Sequence, residues 1–260
     1  MRNSVKLLLC IAAIVALVNG AFIFLTVSGQ DKPPHWTYEG EEGPANWGKL
    51  DPAYAACSDG KGQSPIDIAN PVKASLVNIR FDYQPSALNI FNNGHTIQVN
   101  YDAGSSITYN ETTYKLLQFH FHHPSEHTIN GKQADMEIHF VHSDDKGNLA
   151  VVGVMLMIGD RPDKDYGPVF DHLPAEAGTP EPSTDLRVNA TDLLPDDRTF
   201  YTYMGSLTTP PCSQGVRWLL LTTPVTISKA EADAFAKLYE LNARPVQPLN
   251  QRDLLQDSSP

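Results

Sequence analysis

The stretch "QFHFHHPSEH", residues 118–127, decides how this chain is read. Four of its ten residues are histidines, and His120 and His122 alternate with Phe119 and Phe121. Successive side chains of a β-strand point to opposite faces, so Gln118, His120 and His122 share one face and the phenylalanines the other. Further along, "MEIHFVH", residues 136–142, repeats the alternation. Glu137, His139 and Val141 fall on one face, and Met136, Ile138, Phe140 and His142 on the other. The turn signal "TINGK", residues 128–132, lies between the two runs. If they pair as a hairpin, His139 approaches His120 and His122. Three neutral imidazoles on two rigid strands suit Zn²⁺ with a fourth position open to water, the arrangement of a catalytic site. Gln118 and Glu137 each precede a histidine by one period-two step, which places a second-N–H acceptor beside His120 and His139. An isolated H-x-H pair is commonly packing, but here a third histidine and two acceptors are in phase with it.

The remaining runs are short and alternating: "VNIRFDY" (77–83), "LNIFNNGHTIQVNY" (88–101), "LAVVGVMLMIG" (149–159) and "VRWLLLTTPVTI" (216–227). Turn signals bound them, and "DDKGN" (144–148) reads as a hairpin turn. The 149–159 run is apolar on both faces, which places it in the middle of a sheet. Helical signal is confined to the capping box of Ser228 and Glu231 before "ADAFAKLYELN" and to the short "YGPVFDHL". Residues 35–62 carry no sustained period and are expected as a packed irregular arm, and residues 174–198 mostly as loop. The fold class expected is mainly β (α+β): a single domain around a large, mostly antiparallel central sheet with a few short peripheral helices.

The chain has 260 residues and a formal net charge of −11. That charge argues against nucleic acid as a partner, since phosphate binding needs a basic patch. Arg2 and Lys6 precede an apolar run, and residues 5–27 together are long enough to span a bilayer at about 1.5 Å per residue. Residues 1–29 read as a cleaved signal peptide or a retained membrane anchor, and residues 30–260 as an exported domain, periplasmic or extracellular. Cys57 and Cys212 remain in that domain. In an oxidising compartment they read as one disulfide, with two buried free thiols as the alternative.

"HWTYEGEEGPANW", "QSPIDI", "NNGH", "QFHFH", "SEHT", "EIHFVH", "SLTTPP", "VRWLLL" and "RPVQPLN" occur in that order. In them the chain resembles the α-class carbonic anhydrases, in their bacterial exported form, from about His35 to Arg252. The resemblance implies reversible hydration of CO₂ to bicarbonate and a proton by attack of zinc-bound hydroxide. His120, His122 and His139 match the zinc ligands. Gln118, Glu137 and the carbonyl of Asn242 match the groups that hold them. Thr208 matches the residue that accepts a hydrogen bond from the hydroxide, and Glu126 the carboxylate that takes the Thr208 proton. His95 matches the proton shuttle. Val141, Val151, Leu207 and Trp218 match the apolar wall for CO₂; Tyr38, Asn93, Gln98 and Thr209 match the polar wall that orders water. Cys57 and Cys212 match a disulfide, which would brace the loop carrying Thr208. His127 and His142 match internal hydrogen-bonding positions, and His123 stands where many animal members carry tryptophan. A catalytically silent binding module is the alternative function. A homodimer remains open, as does membrane attachment through residues 5–27.

Overall fold

The computed structural model describes residues 34–179 and 185–259; the leader at residues 1–29, with Cys10, lies outside them. A twelve-stranded sheet organises the chain. Its main path runs Val72–Ala74, Leu255–Asp257, Phe200–Ser206, Gln214–Leu221, Leu149–Ile158, Met136–Ser143, Thr112–His122, Ile97–Asn100, Asn89–Asn92. Most neighbours are antiparallel. The exceptions are Leu149–Ile158 with Gln214–Leu221 and with Val225–Ile227, and Leu255–Asp257 with Val72–Ala74.

The two histidine-bearing runs pair antiparallel as the alternation requires, with His139 opposite His120 and Glu137 opposite His122. Asp144–Asn148 turns the chain into Leu149–Ile158, which is buried from Ala150 to Leu156 between its neighbours. Parity divides the apolar residues between two faces. Phe119, Phe121, Ile138, Phe140, Val152 and Val154 join one cluster, against which Phe235 packs. Val151, Trp218 and Leu220 lie with the histidine face in another. Each fully buried phenylalanine stabilises the sheet by about 1.5–3 kcal/mol, so the core face locks the register that aims the histidines the other way.

The arm is packed and without a sustained period, as expected, but its path includes four short helical segments, Gly40–Glu42, Trp47–Leu50, Pro52–Tyr54 and Ala56–Asp59. None exceeds four residues, too short to display a 3.6-residue period, and what holds them is tertiary: Trp47, Tyr54 and Cys57 pack with Cys212. Ser228 and Glu231 form the expected reciprocal cap, with Ser228 N donating to Glu231 Oε2 (2.7 Å) and Glu231 N to Ser228 Oγ (3.1 Å). The helix stops at Ala236, short of the full "ADAFAKLYELN" run; the chain beyond it leads to Asn242, which bonds His123 at the end of the Thr112–His122 strand. Gly167–Phe170 is helical as expected, and within 174–198 the described residues contribute one short strand, Arg187–Val188. Among the described residues no helix is long and apolar enough to cross a membrane.

Candidate metal centre

His120, His122 and His139 converge, each offering a ring nitrogen, with the three atoms all within 4.8 Å of one another. The other nitrogen of each ring is engaged. His120 Nδ1–H donates to Gln118 Oε1 (2.9 Å), His122 Nδ1–H to the Asn242 carbonyl (2.7 Å) and His139 Nε2–H to Glu137 Oε1 (2.8 Å). These bonds fix the tautomers, since amide, carbonyl and carboxylate oxygens can only accept. The nitrogens left free are His120 Nε2, His122 Nε2 and His139 Nδ1. His122 Nε2 is buried without a hydrogen-bond partner. An orphaned buried imidazole nitrogen is costly, and a cation at the convergence point removes that cost. The donor set therefore fits a divalent metal with three protein ligands. Burial and the neighbouring rings of His122 and His139 push the His120 pKa well below its ordinary value, and burial likewise lowers that of His122. Both are thus held neutral, the state a ligand requires.

Glu137 anchors more than one ligand. Its Oε1 also accepts from His127 Nδ1 (2.8 Å), and its Oε2 from the backbone N–H groups of Glu126 (2.9 Å) and His127 (2.8 Å). Burial opposes its ionisation, but the His127 and His139 rings and their N–H donors outweigh that and hold it well below the usual carboxylate range. A second cluster, His127, Glu137 and His139, is closed by these bonds and by the contact of His127 Nε2 with Tyr203 Oη (2.7 Å). It offers no comparable opening for a metal.

Glu126 is buried beside the three imidazoles. Its Oε1 accepts from Arg244 N (2.9 Å), while Oε2 has no hydrogen-bond partner and lies 3.4 Å from His122 Nε2 and 3.8 Å from His139 Nδ1. The Thr208–Glu126 hydrogen bond that the resemblance implies is therefore not made; Oε2 is turned to the imidazoles instead. Thr208 is buried in a loop closed by Leu207 N to Ser213 O (2.9 Å) and Cys212 N to Thr209 O (2.8 Å). The Cys57–Cys212 disulfide is formed and pins this loop to the arm.

A cleft of about 130 Å³ opens onto His120 and His122. Gln118, Tyr38, Asn93, His95, Gln98 and Thr209 line it, so the expected polar wall is assembled. Asn93 Nδ2 donates to Gln98 Oε1 (3.2 Å), and Asn93 Oδ1 accepts from the N–H groups of His95 and Thr96 (2.9 Å each). His95 is stacked on Trp36, ring centroids 3.7 Å apart and planes 8° from parallel. Partial burial, then the nearby His35, lower its pKa from the ordinary value. Val141, Val151, Leu207 and Trp218 do not line this cleft. They form one apolar cluster flanking it, in which the Trp218 ring meets His139 edge-on at 4.8 Å. His123 faces away and bonds the Glu240 carbonyl (2.8 Å). His142 meets Tyr83 Oη (2.8 Å), internal as expected.

Sequence reasoning missed Trp36 and Arg244. Arg244 is 2% exposed, and its guanidinium donates to Gln63 Oε1, the Ser64 carbonyl and the Cys57 carbonyl. Its only signal was its place in "RPVQPLN", since nothing local distinguishes a buried arginine from a surface one.

The chain matches the family model described as eukaryotic-type carbonic anhydrase over residues 42–258. It is 42% identical over 237 residues to a carbonic anhydrase of Nostoc sp., covering 88% of each chain. It is 39% identical over 248 residues to one of Neisseria gonorrhoeae, covering 95% of this chain and 96% of that one. The solved α-carbonic anhydrase of Thermovibrio ammonificans, in complex with sulfanilamide, superposes with a TM-score of 0.82 at 44% identity, covering 85% of this chain and 99% of that one. With matches of this extent, the chain belongs to the eukaryotic-type (alpha) carbonic anhydrase family of enzymes.

Proposed function

We propose that the protein hydrates CO₂ reversibly at a zinc ion held by His120 Nε2, His122 Nε2 and His139 Nδ1. The observation that carries this reading is the convergence of three free imidazole nitrogens, one of them buried and otherwise unpartnered. Zinc supplies Lewis acidity that lets water lose a proton near neutral pH, an effect for which carbonic anhydrases are themselves the standing example.

The chain's own residues do the rest. With His122 Nε2 and His139 Nδ1 taken up by the metal, Glu126 Oε2 would turn from the imidazoles to accept a hydrogen bond from the Thr208 hydroxyl, which is then left able only to accept from the attacking oxygen. A lone pair is thereby aimed at the carbon of CO₂. Val141, Val151, Leu207 and Trp218 present an apolar surface that an uncharged gas tolerates and bicarbonate does not. Each turnover leaves one proton to export, and His95 takes it; its lowered basicity keeps it neutral and ready at pH 7. Tyr38, Asn93, Gln98 and Thr209 order the water path to it. Residues 30–260 form the exported catalytic domain and residues 1–29 its signal or anchor. The apolar leader and a disulfide within the domain support export.

Stopped-flow CO₂ hydration, as purified, after chelation and after zinc re-addition, tests the proposal. Activity should vanish with the metal, return with it, and be absent in His122→Ala. Bound zinc without hydration would favour the silent binding module instead.

A further inference from the structure

Asn242 does more than lend its carbonyl to His122. It is fully buried in a segment that is neither helix nor strand. Its backbone N–H donates to the His123 carbonyl (3.0 Å). Its side-chain Oδ1 accepts from His123 N (2.7 Å), while Nδ2 donates to the carbonyls of Phe121 (2.9 Å) and His95 (3.1 Å). One N–H and two carbonyls around the amide allow only this orientation. A single residue thus joins the metal-facing strand end, at Phe121, His122 and His123, to the backbone of the turn that carries His95. The same turn is tied to the strand by the Thr96 hydroxyl, which also donates to the Phe121 carbonyl.

We propose that the Asn242 side-chain amide is a positioning residue for proton export: it sets the reach between the His95 imidazole and the metal centre. The proposal rests on the reading of His95 as proton acceptor. The physical ground is the steep dependence of rate on the placement of a catalytic group, for which a displacement of about 1 Å can cost on the order of 100-fold. The division of labour within the residue makes it testable. Substituting the side chain leaves the backbone carbonyl that holds His122, so metal binding and shuttle placement can be separated.

The experiment compares Asn242→Ala and the isosteric Asn242→Asp with His95→Ala and wild type. Asn242→Asp keeps the acceptor for His123 N–H and serves if the alanine variant does not fold. Zinc content, kcat and kcat/KM at low buffer, imidazole titration, and ¹⁵N-histidine spectra of the zinc-free protein are measured. The expected result is retained zinc, a fall in low-buffer kcat of about tenfold that exceeds any fall in kcat/KM, recovery with imidazole, and a shifted or broadened His95 resonance. Should His95→Ala leave low-buffer kcat intact, the shuttle reading falls and this inference with it. If His95→Ala lowers kcat but neither Asn242 variant does, only the inference is overturned. Loss of zinc, or kcat and kcat/KM falling together without imidazole rescue, would overturn it too, leaving Asn242 as a support of His122 alone.

Discussion

Gly153 stands opposite His139 on one side and Leu220 on the other. A Cβ built there would lie 2.7 Å from Leu220 Cδ1, 3.2 Å from Glu137 Oε1 and 3.7 Å from His139 Cδ2. The first distance is too short to persist, and Leu220 is fully buried, so it has little room to rotate away. The second presses on the oxygen that holds both His139 and His127. Gly153→Ala should therefore destabilise the fold by about 1–3 kcal/mol through overpacking. Displacing Glu137 should also weaken zinc binding by about 10–100-fold, the usual cost of disturbing a ligand's hydrogen-bond partner. Urea unfolding of the zinc-free protein and chelator competition for zinc measure the two effects separately. Gly178→Ala is the control: the site is exposed and nothing lies within 4 Å of the added carbon, so stability should stay within about 0.5 kcal/mol of wild type and zinc affinity should not change. Wild-type unfolding and zinc affinity in Gly153→Ala would refute the reasoning, because Leu220 would then yield freely and Glu137 would not depend on the gap.

Glu126→Gln keeps an acceptor for Arg244 N but turns an amide N–H₂ toward the imidazoles; kcat/KM should fall about 100-fold or more with zinc retained, and unaltered turnover would dismiss the Thr208–Glu126 pairing. Replacing both Cys57 and Cys212 by alanine opens a loop of 155 residues and should cost about 5 kcal/mol in the chain-entropy account, read from urea unfolding. A loss below about 1 kcal/mol would place the disulfide's effect in the native loop rather than the unfolded chain. Burial lowers the His142 pKa from 6.5 to about 3. A histidine with a depressed folded pKa protonates more readily unfolded, so its contribution is full above about pH 6.5 and is lost as pH falls toward 3. The loss should reach about 3 kcal/mol by pH 4. His142→Gln should flatten the stability profile between pH 6.5 and 3, and an unchanged profile would exclude His142 as its source.

The alternation in residues 118–122 and 136–142 contained the hairpin, its faces and the three converging imidazoles, because strand parity is a local rule that one register satisfies and a one-residue slip destroys. Gln118 and Glu137 were legible for the same reason, each one step from its histidine on the same face. The Ser228 cap and the "DDKGN" turn are equally local. By contrast, Asn242 reaches His122 across 120 residues, Arg244 reaches Glu126 across 118, and Trp36 stacks on His95 from the arm. No periodicity encodes such contacts. The orientation of Glu126 Oε2 toward the imidazoles rather than Thr208 is likewise set by what its neighbours already bond. The sequence by itself determined which side chains share a face, since backbone geometry repeats every two residues. Only the tertiary structure decided which distant groups complete their hydrogen bonds, since that depends on where a closed chain brings buried donors and acceptors together.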